Sequence, residues 1–153
     1  MSPAKQLVNP LAEENETADN GNLVLVCEYD SSQSGNLVNG TLVAIETESS
    51  DTTILIKKAT TTPDFLMLGV IVDAPTGGYA PGQACHVLVE GKVDALFDAN
   101  NTTAGHLGIQ SSTTAGSLTD SSTATVGKTM GTILESVTIS SGTALVPIYL
   151  HKM

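Results

Sequence analysis

Short apolar runs separated by turn residues are the feature that most limits the folds open to this 153-residue chain. Val, Ile and Leu dominate the runs, whereas Gly, Pro, Asn, Asp and Ser gather between them. No window of a dozen residues repeats its apolar positions with the period of about 3.6 residues that marks an amphipathic helix. β-Branched and alternating residues are instead typical of strands. The sequence therefore predicts an all-β protein, built as a single compact β-barrel or sandwich domain.

Several strands and one hairpin are predicted within this pattern. Residues 41–47 and 53–58 are joined by a polar turn, which indicates a β-hairpin. Residues 84–97 contain Gly91 and form either a tight hairpin or one long strand bulged at the glycine. A short repeat, residues 102–107 and 113–118, predicts two similar steps of a turn followed by a strand. Further strands are expected at residues 22–29, 66–72, 127–136 and 143–150.

The first 21 residues differ from the rest because they are polar and acidic and hold too few apolar side chains for a helix to bury a face. They predict an extended N-terminal arm at residues 1–21, followed by a β-domain at residues 22–153. A polar arm is ordered mainly when a partner holds it. The arm is therefore a candidate contact region.

Charge and hydropathy exclude two classes of partner. The chain has 16 Asp+Glu against 6 lysines and no arginine, for a formal net charge of −10. Nucleic-acid binding needs clustered basic residues, and the lysines are scattered, so we expect no nucleic-acid partner. The longest apolar run, residues 65–72, is far shorter than the roughly 20 residues of a membrane span, and no stretch has signal-peptide length. We therefore expect no membrane partner. We also expect the protein to be made in a cytoplasm.

The cysteines and histidines lack the spacing of a metal site. Cys85 and His86 are adjacent, so a strand would send them to opposite faces, with Cys85 in the core and His86 at the surface. Cys27 and Cys85 are expected to be free and buried, a disulfide in an oxidising compartment being the alternative. We predict no metal and no cofactor.

Enzyme signatures are also incomplete. The run Val126 to Thr129 has Ser122 where a P-loop requires its first glycine. No G-x-S-x-G elbow occurs, and with 34 Ser and Thr residues a hydroxyl near some histidine carries little information. Asp94 and Asp98 alternate with apolar neighbours, which predicts a solvated strand face rather than a catalytic pair. We predict a protein that is not an enzyme, with an unrecognised β-barrel enzyme as a remote alternative.

Four segments resemble the small decoration, or cement, proteins of tailed-bacteriophage heads: GVIVDAPTGG at 69–78, GQACHVLVEGKV at 82–93, TAG at 103–105 and VGKTMGTILE at 126–135. The resemblance covers roughly the C-terminal half and rests on the spacing of Gly, Val and turn residues, while residues 1–60 depart from it. It implies a non-enzymatic, commonly trimeric β-domain that sits on the assembled shell and bridges neighbouring major capsid subunits. It supplies no catalytic residues.

This resemblance predicts a virion structural protein on the outer surface of the capsid, made in the host cytoplasm. Its expected partners are the major capsid protein and itself, as a homotrimer. The arm would contribute Lys5, Leu7, Val8 and Leu11 to the capsid contact, and the net charge would keep the protein away from packaged DNA. The alternative is a carbohydrate- or receptor-binding module of a phage tail or cell surface, with Tyr79 as an exposed sugar platform.

Overall fold

The computed structural model describes residues 21–46, 52–62 and 66–151. The all-β prediction is confirmed, since these residues form strands, turns and loops without a helix. Among them, no helix of the length and apolarity needed to cross a membrane is found. The strands are β1 (Leu23–Tyr29), β2 (Leu42–Ile45), β3 (Leu55–Lys58), β4 (Met67–Val72), β5 (Ala84–Phe97), β6 (Leu107–Gln110), β7 (Leu118–Ser121), β8 (Thr129–Ile133) and β9 (Ala144–Leu150).

The first five strands close into a barrel. β1 pairs in parallel with β3, and β3 pairs antiparallel with β2, which confirms the predicted hairpin. β4 joins β2 to β5, and β5 returns to β1, so the ring is complete. Of the two architectures left open by the sequence, the barrel is the one observed.

β5 is one continuous strand, which settles the second open alternative. Its first half pairs with β1 and β4, whereas from Gly91 onward it pairs with β9. Gly91 has a φ of 127°, a conformation that favours glycine, and a Cβ here would collide with the side chain of Asn22. The glycine therefore lies where β5 leaves one ring of strands and enters another.

The second half of β5 begins a second ring with the same strand order and the same directions. β5 pairs in parallel with β7. The other four pairings are antiparallel: β7 with β6, β6 with β8, β8 with β9, and β9 with β5, which completes the ring. The repeat at residues 102–107 and 113–118 leads into β6 and β7, which confirms the predicted turn-then-strand steps. The chain thus folds into two five-stranded barrels that share β5.

The two barrels also match in register. Tyr29 lies opposite Ile56 in the first barrel as Phe97 lies opposite Leu118 in the second. The register between β2 and β4 shifts after Val43, and the register between β6 and β8 shifts after Gly108. Both barrels have a glycine on the strand facing that bulge, Gly69 in β4 and Gly131 in β8. These correspondences identify a structural repeat that extends to individual residues.

Two apolar cores follow from this arrangement. One fills the first barrel: Cys27, Tyr29, Leu37, Val43, Ile56, Leu68, Ile71, Tyr79, Cys85 and Val87. The other fills the second barrel and includes residues from the first barrel's outer face: Leu42, Ala59, Met67, Val70, Leu88, Ala95, Phe97, Leu118, Met130, Ile133, Ile139, Val146, Ile148 and Leu150. Because the second core draws on both halves of the chain, the barrels pack against each other without an intervening linker.

Backbone and side-chain hydrogen bonds reinforce the contact between the barrels. The Leu42 amide donates to the carbonyl of Gly116 at 2.8 Å, and the Gly116 amide donates to the carbonyl of Ala59 at 2.9 Å. The buried Gln110 side chain donates from Nε2 to the carbonyls of Thr60 and Thr62 at 2.7 and 2.8 Å. Buried polar groups need such partners, so these bonds fix the orientation of one barrel against the other.

Candidate interaction surfaces

The predicted capsid contacts of the arm, Lys5, Leu7, Val8 and Leu11, lie outside the described residues. The structure neither brings them together nor separates them. They remain a prediction from the sequence.

Three aliphatic side chains are exposed at the start of the first barrel, on the strand that follows the arm. Leu23, Val24 and Val26 have exposed fractions of 49%, 42% and 68%, and we call them the β1 surface. Val24 and Val26 point away from the barrel because side chains alternate along a strand and Cys27 and Tyr29 point inward. Neighbouring apolar side chains on one strand face, such as Val24 and Val26, mark contact sites for partners more often than scattered ones do.

The pairing of β1 explains why this surface is open. β3 pairs with β1 at Glu28 and Tyr29, the C-terminal end of the strand. Among the described residues, the N-terminal half of β1 pairs with β5 and with no other strand. A strand segment with one free side can accept an extended segment of another chain, with its side chains available for apolar contacts.

A second apolar group lies on the outer face of the second barrel. Leu96 and Leu145 are directly opposite each other on β5 and β9, and Leu145 is 51% exposed. Beside them, the amide of Leu134 donates to the carbonyl of Pro147 at 3.0 Å, and Leu134 is 44% exposed. We call these four residues the β9 surface.

Pro147 is not in the edge position that proline usually requires, since β9 has β5 on one side and β8 on the other. However, β8 pairs with β9 only as far as Ile133 opposite Ile148. The Pro147 carbonyl faces the β8 side, where it accepts from Leu134, so the missing amide hydrogen also faces that side, beyond the end of β8. The Leu134 carbonyl therefore receives no hydrogen bond in return from position 147, and the pairing of β8 with β9 ends there.

The histidines form separate polar pairs. His106 Nδ1 lies 2.8 Å from Asp120 Oδ1, His86 Nδ1 lies 3.4 Å from Asp73 Oδ2, and His151 Nε2 lies 2.8 Å from the Thr132 hydroxyl. An aspartate that orients a histidine is one half of a nucleophile-activating arrangement. Within the described part of the chain, no side-chain hydroxyl is hydrogen-bonded to the His106 ring, and no three His, Cys, Asp or Glu residues group as metal ligands would. No pocket is found there either.

Tyr79 is buried, so its predicted exposure as a sugar platform is wrong. Its side chain is 7% exposed and belongs to the core of the first barrel. The hydroxyl donates to the carbonyls of Val72 and Asp73 at 3.0 and 2.9 Å and accepts from the His86 amide at 3.3 Å. The Gly- and Pro-rich loop thus folds inward over the barrel end instead of presenting an aromatic ring.

The prediction of a solvated face for two aspartates holds for Asp94 and is wrong for Asp98. Asp94 is exposed on β5, whereas Asp98 follows the strand and is 2% exposed. Its carboxylate accepts hydrogen bonds from the Ser111 hydroxyl at 2.7 Å and from the side-chain amide of Asn100 at 3.0 Å. Asp98 therefore organises the loops at one end of the second barrel, because a buried carboxylate requires such donors.

The cysteines and the adjacent histidine lie where the sequence predicts. Cys27 and Cys85 are free and buried, and His86 is exposed on the opposite face of β5. Cys27 and Cys85 are direct cross-strand partners on β1 and β5. Burial, with a contribution from the neighbouring Cys85, raises the pKa of Cys27 to about 11, and burial also raises the pKa of Cys85.

The two apolar surfaces had no distinct sequence signal. Residues 23–26 form the continuous apolar run Leu-Val-Leu-Val, which resembles a strand covered on both faces. In the described part of the chain, β3 overlaps β1 only at Glu28 and Tyr29, and three of these four side chains are exposed. The β9 surface joins residues from β5 and β9 with Leu134, and such a grouping requires knowledge of the strand pairing.

No family model matches this chain, and no curated protein matches it. Among solved structures, it is similar to the crystal structure of the head fiber gp8.5 N base of bacteriophage phi29, with a TM-score of 0.49 and 14% sequence identity. The alignment covers 85% of this chain and 94% of that one. A similarity at this TM-score is too weak to carry an argument about function.

Proposed function

We propose that this protein is a non-enzymatic structural protein of a phage virion, which binds the outside of the head as a cement or decoration protein. It would stabilise contacts between neighbouring major capsid subunits. The exposed β1 surface, immediately after the predicted arm, is the observation that carries this proposal. The predicted arm would lead directly into Leu23, Val24 and Val26 and so give a protein partner one extended segment with apolar side chains.

The sequence resemblance to phage cement proteins supplies the identity of that partner. Two fused barrels provide a rigid body for it, since a bridging protein must hold neighbouring subunits in a fixed geometry. The formal charge of −10 favours the outer surface of the head, because packaged DNA would repel the protein on the inner one. We place the protein, made in the host cytoplasm, on the virion exterior.

Binding to heads that lack the protein tests this function directly. We expect saturable binding at a fixed copy number and a raised temperature of head disruption. Deleting residues 1–21 should leave the barrels folded and abolish or strongly weaken binding. No binding by the intact protein would overturn the proposal, and unchanged affinity of the shortened protein would remove the arm from it.

The substitution Val26→Asp tests the β1 surface separately from the arm. It places a charge among apolar contacts, and we expect affinity for heads to fall roughly tenfold or more. Val126→Asp is the matched control, because Val126 is 87% exposed in the loop between β7 and β8. Equal affinities for the two variants would contradict a role for the β1 surface.

We further propose that the protein is a homotrimer. The β9 surface is an apolar candidate for the self-contact, because Leu134 and Leu145 are exposed and share one sheet face. Light scattering at several protein concentrations should give a mass three times that of the 15.7 kDa chain. A Leu145→Lys variant should shift that mass toward one chain, and a monomeric wild-type protein would overturn the trimer.

The alternative of a carbohydrate- or receptor-binding module loses the residue on which it rested, because Tyr79 is buried. Glycan-array binding together with no affinity for heads would favour it.

A further inference from the structure

The opposed cysteines of the first barrel are two oxidisable thiols that the proposed function does not use. We propose that Cys27 and Cys85 form an intrachain disulfide when the protein meets a small-molecule disulfide oxidant, linking β1 to β5 inside the first barrel. Their pairing on the sheet carries this proposal. The bond itself does not depend on head binding.

The register places the two residues at the right separation. Directly opposite residues of an antiparallel pair have Cα atoms about 4.5–5.5 Å apart and side chains on the same face. Disulfides join Cα atoms about 4.4–6.8 Å apart. Cys27 is 3% exposed and Cys85 is 0% exposed, and both side chains belong to the core of the first barrel. No strand needs to change register for the sulfur atoms to meet.

The local contacts allow the bond to form without loss of a strong interaction. The Cys85 thiol donates a hydrogen bond to the carbonyl of Gln83 at 3.4 Å, and this bond is weak because a thiol is a weak donor. The side chains around the pair are apolar, so a disulfide, which carries no polar hydrogen, suits the site better than two thiols do.

The reaction is an exchange with a disulfide such as oxidised glutathione. The Cys27 thiolate attacks one glutathione sulfur and releases the other glutathione as a thiolate, giving a mixed disulfide. The Cys85 thiolate then attacks Cys27 Sγ and displaces the second glutathione. The two protein thiols lose two protons and two electrons, and one oxidised glutathione becomes two reduced molecules. Burial of the thiols makes this exchange slow in the closed barrel and fast during folding.

The bond would fix the strand that follows the arm. β1 closes the first barrel, and its link to β5 would keep that barrel closed when force acts on the arm. Under the proposed function, on which this role alone rests, the protein leaves a reducing cytoplasm at host lysis and meets oxidants outside the cell.

Refolding the wild-type protein from denaturant in mixtures of reduced and oxidised glutathione tests the proposal. In the oxidising mixture we expect a mass lower by two hydrogens, no thiol that reacts with Ellman's reagent in denaturant, and a midpoint of thermal unfolding roughly 5–15 °C higher than that of the reduced protein. Cys27→Ser, Cys85→Ser and the double variant should show no such rise.

The readouts on the wild-type protein do not depend on whether the serine variants fold. Retention of two free thiols in the oxidising mixture, a stable glutathione adduct or a disulfide-linked dimer would each overturn the proposal. The measurement uses isolated protein, so its outcome is separate from that of the head-binding experiment. The disulfide can be absent from a protein that binds heads, and it can form in a protein that does not bind them.

Discussion

Single side chains explain much of the local order, and Asp30 at the end of β1 is an example. Its carboxylate accepts hydrogen bonds from the Ser32 amide at 3.0 Å and the Ser32 hydroxyl at 2.9 Å. The bond from the Ser32 backbone amide is the main cause that lowers the pKa of Asp30 below its usual value. The carboxylate thereby holds the turn that follows the first strand.

The lowered pKa of Asp30 predicts a specific acid sensitivity. Between the folded and unfolded pKa values the unfolded chain binds more protons, so stability rises with pH in that window. The contribution of Asp30 is complete above its usual pKa of 3.8 and is lost as pH falls through the folded value. We expect Asp30→Asn to lose less stability than wild type when urea unfolding is compared between about pH 5 and pH 2.5. Equal losses of stability in Asp30→Asn and wild type over this range would contradict the role of Asp30.

Gly108 in the second barrel occupies the position that Val43 holds in the first. A Cβ at Gly108 would lie 2.7 Å from Ile148 Cδ1 and 3.1 Å from Phe97 Cζ. Ile148 occupies the position that Val87 holds in the first barrel, so the larger side chain fills the space left by the glycine.

Gly108→Ala should therefore destabilise the protein by about 1–3 kcal/mol through overpacking. In the Ile148→Val background, which lacks Cδ1, the same substitution should cost less. The double-mutant cycle, measured by denaturant unfolding, checks this coupling. Additive effects of the two changes would contradict the proposed exchange of volume.

At the scale of the element, the paired bulges constrain two glycines more strictly. A Cβ at Gly69 would collide with the carbonyl oxygen of Leu88, and one at Gly131 would collide with that of Tyr149. Backbone atoms in the middle of a ladder cannot move aside as a flexible side chain can. We expect Gly69→Ala and Gly131→Ala each to destabilise the protein by about 3 kcal/mol or more.

Thermal unfolding of both variants beside Gly108→Ala checks this expectation. The Gly108 site differs because its nearest contacts are ends of side chains. A Gly131→Ala variant as stable as Gly108→Ala would show that the strands at the bulge can separate without cost.

The sequence predicts the strands well, but it does not reveal that the two barrels are a structural repeat. Apolar runs and turn residues place β2, β3 and β5 because these signals are local. The repeat is hidden because matched positions preserve burial or backbone shape and not residue type, as with Tyr29 and Phe97 or Val43 and Gly108. Strand order depends on pairing between residues far apart in the chain, and local sequence patterns do not report such pairing.

For the candidate site residues, too, the sequence predicts what depends on local pattern and not what depends on the tertiary fold. Cys85 and His86 are assigned to opposite faces from adjacency alone, which the structure confirms. Tyr79 and Asp98 are misplaced because the folding of a loop decides whether a polar or aromatic side chain finds buried hydrogen-bond partners. The four arm residues remain predictions.

For the whole molecule, the shared strand predicts cooperative unfolding. β5 belongs to both barrels, and Leu42, Met67 and Val70 of the first barrel contribute to the core of the second. Loss of either barrel would expose apolar surface of the other. We expect one calorimetric transition whose van't Hoff and calorimetric enthalpies agree, and Gly131→Ala should lower amide protection in β1 as well as in β8. Two resolved transitions would contradict this coupling.

The position of β5 in the middle of the chain also matters during synthesis. The first barrel can close once the first half of β5 has left the ribosome, but the cover for its outer face is supplied by β6 to β9 and is translated later. Until β9 emerges, Leu42, Met67 and Val70 face the cytosol, where a nascent chain is open to aggregation and to chaperones. Rare codons or pauses placed between β5 and β9 would prolong that exposure, so the yield of folded protein should be more sensitive to translation speed there than upstream of β1.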